Sequence, residues 1–149
     1  MPKLQVVLVE DLHRFEVTRD EIFKWMNRPH PEAAAGLRQV EELVTKEKKE
    51  GWVLGPLFLP AASKVKQAQA KLDQRLGLLK AVEAVRLAAH ENGGKLPEKL
   101  ADLTVPEPTD PISGKAYSYA VKDGVATLTG ANPTGMAGDN RVYELRLRK

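Results

Sequence analysis

Few side chains in this sequence have the type and spacing for chemistry. His13, His30 and His90 share no metal-ligand spacing with one another. His90 falls in the last turns of a long helical stretch, where the helix dipole favours a cation, so surface or capping roles are expected of the histidines. Ser63, Ser113 and Ser118 have neither a Gly-x-Ser-x-Gly context nor an assignable base, which leaves no hydrolase pattern. Glu10, Asp11, Glu16, Asp20 and Glu21 crowd one helical stretch, but Arg14, Arg19 and Lys24 lie among them and make a solvated face rather than an acid–base pair. Gly93-Gly94-Lys95 ends a helix, whereas a phosphate loop starts one. The chain has no cysteine, hence no disulfide, thiolate metal site or thiol nucleophile. No enzyme signature survives, and neither an activity nor a cofactor is expected.

The most ordered polar run is DPISGKAYSYAVKDG, residues 110–124. Asp110 could present its carboxylate to a metal or a substrate. The same Asp-Pro pair could instead fix a turn, with Asp110 accepting backbone donors, Pro111 setting φ and Gly114 completing the reversal. The turn is the expectation.

Several elements must hold that run. Residues 6–27 read as a helix with Leu8, Leu12, Phe15, Ile22 and Met26 on one stripe. Pro29 and Pro31 end it. A second helix is expected over 32–50, with Leu37, Val40 and Val44 inward, and Gly51 stops it. Residues 52–60 are apolar without a period and read as a loop. The strongest helix runs over 61–94. Its first stripe is Val65, Ala68, Leu72, Leu76, Leu79 and Val82, widened by Leu78, Ala81, Val85 and Ala88. At about 1.5 Å per residue it is longer than a compact domain of this size needs. Part of it is therefore expected to meet the N-terminal helices or another chain.

After a helical turn in LPEKLADL the period changes to two. Asp123-Gly124 is a preferred two-residue hairpin turn and pairs Lys122 with Val125, Val121 with Ala126 and Tyr119 with Leu128. Tyr117, Tyr119, Val121, Ala126 and Leu128 then share one face. Tyr143, Leu145 and Leu147 alternate with charged residues in a third strand, joined to the hairpin by residues 130–140. The fold class is α+β, with N-terminal helices and one long helix packed on a small three-stranded antiparallel sheet. Residues 1–59 form a helical extension and 60–149 the long helix with its β-meander.

Composition suits such a fold: 42% of residues are hydrophobic and 29% charged, enough for a core under an ordinary surface. The 23 basic and 20 acidic residues are interleaved, and no aromatic platform lies among Lys46, Lys48 and Lys49, so no nucleic-acid partner is expected. The longest apolar stretch, residues 52–62, is about half a membrane span and is broken by Gly55, Pro56 and Pro60, so the chain is not expected to insert into a membrane.

LGLLKAVEAVRLAAHENGGKLPEKLADL, a proline-rich run, DPISGKAYSY and a β-meander follow one another. This order resembles the soluble part of type II secretion pseudopilins, in which a long helix precedes an LP-x-x-L-x-x-L segment, a DP-x-G-x-x-Y-x-Y motif and a small antiparallel sheet. From FLPAASKVKQAQAKLDQRL onward the chain is also similar to the C-terminal tail of large planctomycete envelope proteins of no assigned activity. The resemblance implies a pilin-like domain on the extracytoplasmic side of a longer parent protein. The hydrophobic N-terminal helix and processing site of pseudopilins are not found in the sequence, so a C-terminal piece is expected. Pseudopilins can hold calcium in the C-terminal loop. The corresponding GANPTGMAGDN, residues 130–140, offers Asp139 as its single carboxylate beside Asn132 and Asn140, and with Asp110 these are poor material for an ion that takes six to eight oxygens.

Trp25, Trp52 and Phe58 remain as the informative aromatics, either partly exposed at a contact surface or packed in the core. The expectation is a non-enzymatic interaction or scaffold domain that meets a protein partner or a second copy of itself through its helical half. The alternative is a regulatory module that binds calcium or another ligand in the 130–140 loop.

Overall fold

The computed structural model describes residues 3–59, 61–106, 108–133 and 140–147, with the side chain of Phe58 outside that description. The elements are α1 (Lys3–Met26), α2 (His30–Lys49), α3 (Leu54–Phe58), α4 (Ala62–Glu91), a 3-10 turn at Leu100–Asp102, and strands β1 (Ser118–Lys122), β2 (Val125–Thr129) and β3 (Val142–Arg146). The α+β class read from the sequence is the class of the structure. The chain divides into two compact units, Met1–Ala68 and Gln69–Lys149, the division falling inside α4.

In the first unit, α1 ends ahead of Pro29, and α2 begins at His30 rather than at Glu32. Pro29 is the N-cap and Pro31 lies in the first turn, where a missing N–H costs nothing. The two prolines therefore close one helix and open the next. Ile22 of α1 packs with Ala33, Leu37, Val40, Val44 and Trp52. The ammonium of Lys66, at the start of α4, donates to the carbonyl of Met26 at 2.8 Å and places a cation on the last turn of α1.

Residues 52–60 were expected as a loop, but they contain α3. Its N-terminus is capped from a distance: Asp11 accepts from the backbone N–H of Leu54 at 3.1 Å and of Val53 at 3.4 Å. A cap some forty residues upstream leaves no local pattern to read.

In the second unit, α4 ends in paired glycines. Gly93 and Gly94 have φ of 64° and 85°, and the Gly94 N–H returns to the Ala89 carbonyl at 2.8 Å. The three strands form a meander in the order β1-β2-β3 with antiparallel pairing throughout. The hairpin register is as expected, Lys122 opposite Val125 and Tyr119 opposite Leu128. Asp123 and Gly124 both take positive φ, 52° and 74°. Gly124→Val is expected to cost about 1 kcal/mol or more in thermal unfolding, because a β-branched residue resists that conformation. A variant as stable as the parent would mean that this turn does not set the register.

Leu78, Ala81 and Val85 of α4 pack on Tyr117, Ala126, Leu128 and Leu145, and Leu100 closes one side. This corrects the reading of the long helix. Val65, Leu72, Leu76 and Leu79, expected as its main buried stripe, are exposed, and the set expected only to widen it is the core. The sheet face is as anticipated except at Val121, which is exposed beside the turn.

Candidate functional site

The polar centre of the second unit is Asp110, 1% exposed. Pro111 and Gly114 lead the chain through a turn in which Asp110 N donates to the Lys115 carbonyl and Gly114 N to the Asp110 carbonyl, both at 2.8 Å. Gly114 takes φ of 70° to complete it. The carboxylate then reaches three ways. Oδ1 accepts from Ile112 N at 2.8 Å, Oδ2 from Ala131 N at 2.6 Å, and both from Gln74 Nε2 at 3.2 and 3.1 Å. Gln74 Nε2 also donates to the Ala131 carbonyl at 2.8 Å, which ties α4 to the segment after β2.

Asp110 thus performs the turn role read from the sequence and a second role that was missed. Its partner Gln74 is polar and 36 residues away, yet 1% exposed. The available signal was its place on the helix: Ala70 and Leu78 lie four residues to either side and are both buried. Tyr117 completes the cluster, donating its hydroxyl to the Gln74 carbonyl at 3.2 Å. Burial, and then the negative charge of Asp110, push the Tyr117 phenol up to about 12. Gly77 faces that hydroxyl so closely that any side chain there would collide with it.

Chemically the cluster is a fastening. The oxygens of Asp110 that a metal or substrate would need already accept four hydrogen bonds. Among the described residues, no three His, Cys, Asp or Glu side chains converge on a point. His13 and His90 are exposed, one in each unit, while His30 starts α2 half-buried. Asn132 and Asn140 belong to the expected calcium loop, residues 130–140, but Asp139 lies outside the described residues.

The aromatic candidates divide. Trp52, read as either a contact or a core residue, is 3% exposed and belongs to the core of the first unit. Its ring lies over Gly55, where no Cβ would fit, and its indole N–H points to the Asp11 carbonyl at 3.4 Å. Trp25 is half-buried over Gly36, donates to Glu21 at 2.9 Å and has the Lys24 ammonium 5.0 Å from its ring centre. Phe58 ends α3, and its side chain lies outside the description.

Exposed apolar surface gathers on α1 instead. Phe15, Thr18 and Ile22 mark the side of α1 that turns inward, and the same line runs back through Asp11 to Leu8 and Leu4. There it emerges: Leu4 is 70% and Leu8 54% exposed, with Val7 beside them at 62%. Leu8 and Leu12 were expected to be inward and are exposed, as are Val9 and Phe23. Among the described residues, no helix is long and apolar enough to cross a membrane. No protein-family model, curated protein or solved structure matches this chain.

Proposed function

We propose that the chain is a non-enzymatic protein-interaction or scaffold domain of pseudopilin-like type, part of a larger envelope-associated protein. The observation that carries this reading is the line on α1 that emerges at its first turns. Leu4, Leu8, Asp11, Phe15, Thr18 and Ile22 follow one another at alternating spacings of four and three, the spacing of a helix–helix seam. Its C-terminal half is used within the first unit, and its first turns carry exposed leucines. Contiguous apolar surface of this kind is uncommon on a protein that stays alone. A second copy of the chain, pairing the same turns around a two-fold axis, closes the seam with the fewest parts.

Further support comes from the polar cluster and from chain order. The DP-x-S-G-K run that carries the family resemblance spends its carboxylate on fastening the fold, as a scaffold would require. The long helix, the LP segment, the Asp-Pro turn and the β-meander also follow one another as in pseudopilins.

Light scattering across a concentration series tests the reading. The parent is expected to approach a dimer mass by about 100 μM and Leu8→Glu to remain a monomer, since a carboxylate in an apolar seam is heavily penalised. A parent that is monomeric throughout would overturn self-association through α1.

A further inference from the structure

The first unit contains a pocket that the interaction reading does not use. Its interior is aliphatic, built from Ile22 of α1, Leu37, Val40 and Val44 of α2, and Leu59 and Ala62 at the approach to α4. Its rim is polar, made by Glu41, Thr45, Ser63 and Lys64. The volume is about 260 Å³. An apolar cavity of about 150 Å³ is enough to take benzene, so this one has room for two fused rings.

The rim restricts the chemistry of an occupant. Glu41 and Lys64 supply one negative and one positive charge, so the rim carries no net charge with which to select an ion of either sign. The Thr45 hydroxyl already donates to the Glu41 carbonyl at 2.7 Å. The Ser63 hydroxyl donates to Oε1 of Glu41. An ionised carboxylate only accepts, and it has about four lone-pair sites. The Glu41 carboxylate therefore keeps acceptor sites at the mouth, beside the Lys64 ammonium, and a donor on the ligand would meet them.

We propose that this pocket binds a neutral two-ring aromatic molecule bearing an N–H donor, with its rings against the aliphatic lining beside Leu59 and Ala62 and its N–H on the Glu41 carboxylate. The site shares Ile22 with the inward end of the α1 line but none of that line's exposed turns, it lies apart from the 130–140 loop in sequence, and it makes the first unit a small-molecule receptor.

Indole and benzofuran are the probes, nearly equal in shape but differing in the N–H. Calorimetric titration of the full chain with indole is expected to give one saturable site with Kd below about 1 mM. Benzofuran should bind about tenfold more weakly, the loss expected for one hydrogen bond to a charged group. Amide NMR shifts on indole addition should gather in residues 37–45 and 59–64. Ala62→Leu, which fills the interior, should weaken indole by about tenfold or more. Absence of saturable binding, or shifts centred elsewhere, would overturn the site. Equal affinity for the two probes would overturn the role of Glu41. The shift map of the parent chain decides the location even if Ala62→Leu does not fold.

Discussion

Asp110→Ala is expected to cost about 3–5 kcal/mol, enough to unfold the second unit if its stability is ordinary. The substitution removes one carboxylate and leaves Ile112 N and Ala131 N without an acceptor in a place that is 1% exposed, while Gln74 Nε2 loses its bonds to Asp110 and keeps the one to the Ala131 carbonyl. Each orphaned buried donor costs about 1–3 kcal/mol, and a charged acceptor lies at the upper end of that range. Asp110→Asn should fall between parent and alanine. It keeps the shape and one oxygen, but its NH₂ must face either the Ile112 or the Ala131 N–H. The aromatic residues separate the readouts: both tryptophans lie in the first unit and all three tyrosines in the second. The near-ultraviolet tyrosine signal should therefore be lost at lower urea while tryptophan emission reports the first unit separately. A cost for alanine below about 1 kcal/mol would mean that water reaches the carboxylate, and the fastening would then be wrong.

The sequence announces part of this cluster and hides the rest. Asp-Pro followed by Gly is local turn chemistry, so the reversal at 110–114 is legible without any tertiary knowledge. The hairpin is legible for a similar reason, because the Asp123-Gly124 turn and the alternation of Tyr117, Tyr119 and Val121 independently specify one register. Gln74 is not legible by type, since glutamine is usually exposed and only the tertiary fold supplies the buried carboxylate that satisfies it. The α3 cap is hidden in the same way, as Asp11 sits in a helical face crowded with other carboxylates. Trp52 could be core or contact on composition alone, and the glycine beneath its ring, Gly55, decides for core by letting the backbone come close.

The face of α4 is where residue type misleads most, and neighbouring leucines expose it. Leu78→Ala is expected to cost about 3–5 kcal/mol, whereas Leu79→Ala should stay within about 0.5 kcal/mol. The two side chains are about 100° apart around the helix. Leu78 is 0% exposed and packs with Ala81, Val85 and Leu128, while Leu79 is 48% exposed. Judged by hydrophobicity, the line through Leu72, Leu76 and Leu79 looks stronger than the line it faces away from, where Ala70, Gln74, Gly77, Ala81 and Ala88 accompany Leu78 and Val85. Close packing selects the second line because small residues let a helix approach its neighbours, and Gly77 in particular leaves room for the Tyr117 hydroxyl. Leu79→Ala loses little contact and gains slightly in helix propensity, so the two changes nearly cancel. Urea unfolding followed by the tyrosine signal distinguishes them. Equal costs at both positions, or a larger one at Leu79, would place the first stripe in the core and displace the sheet contact from Leu78.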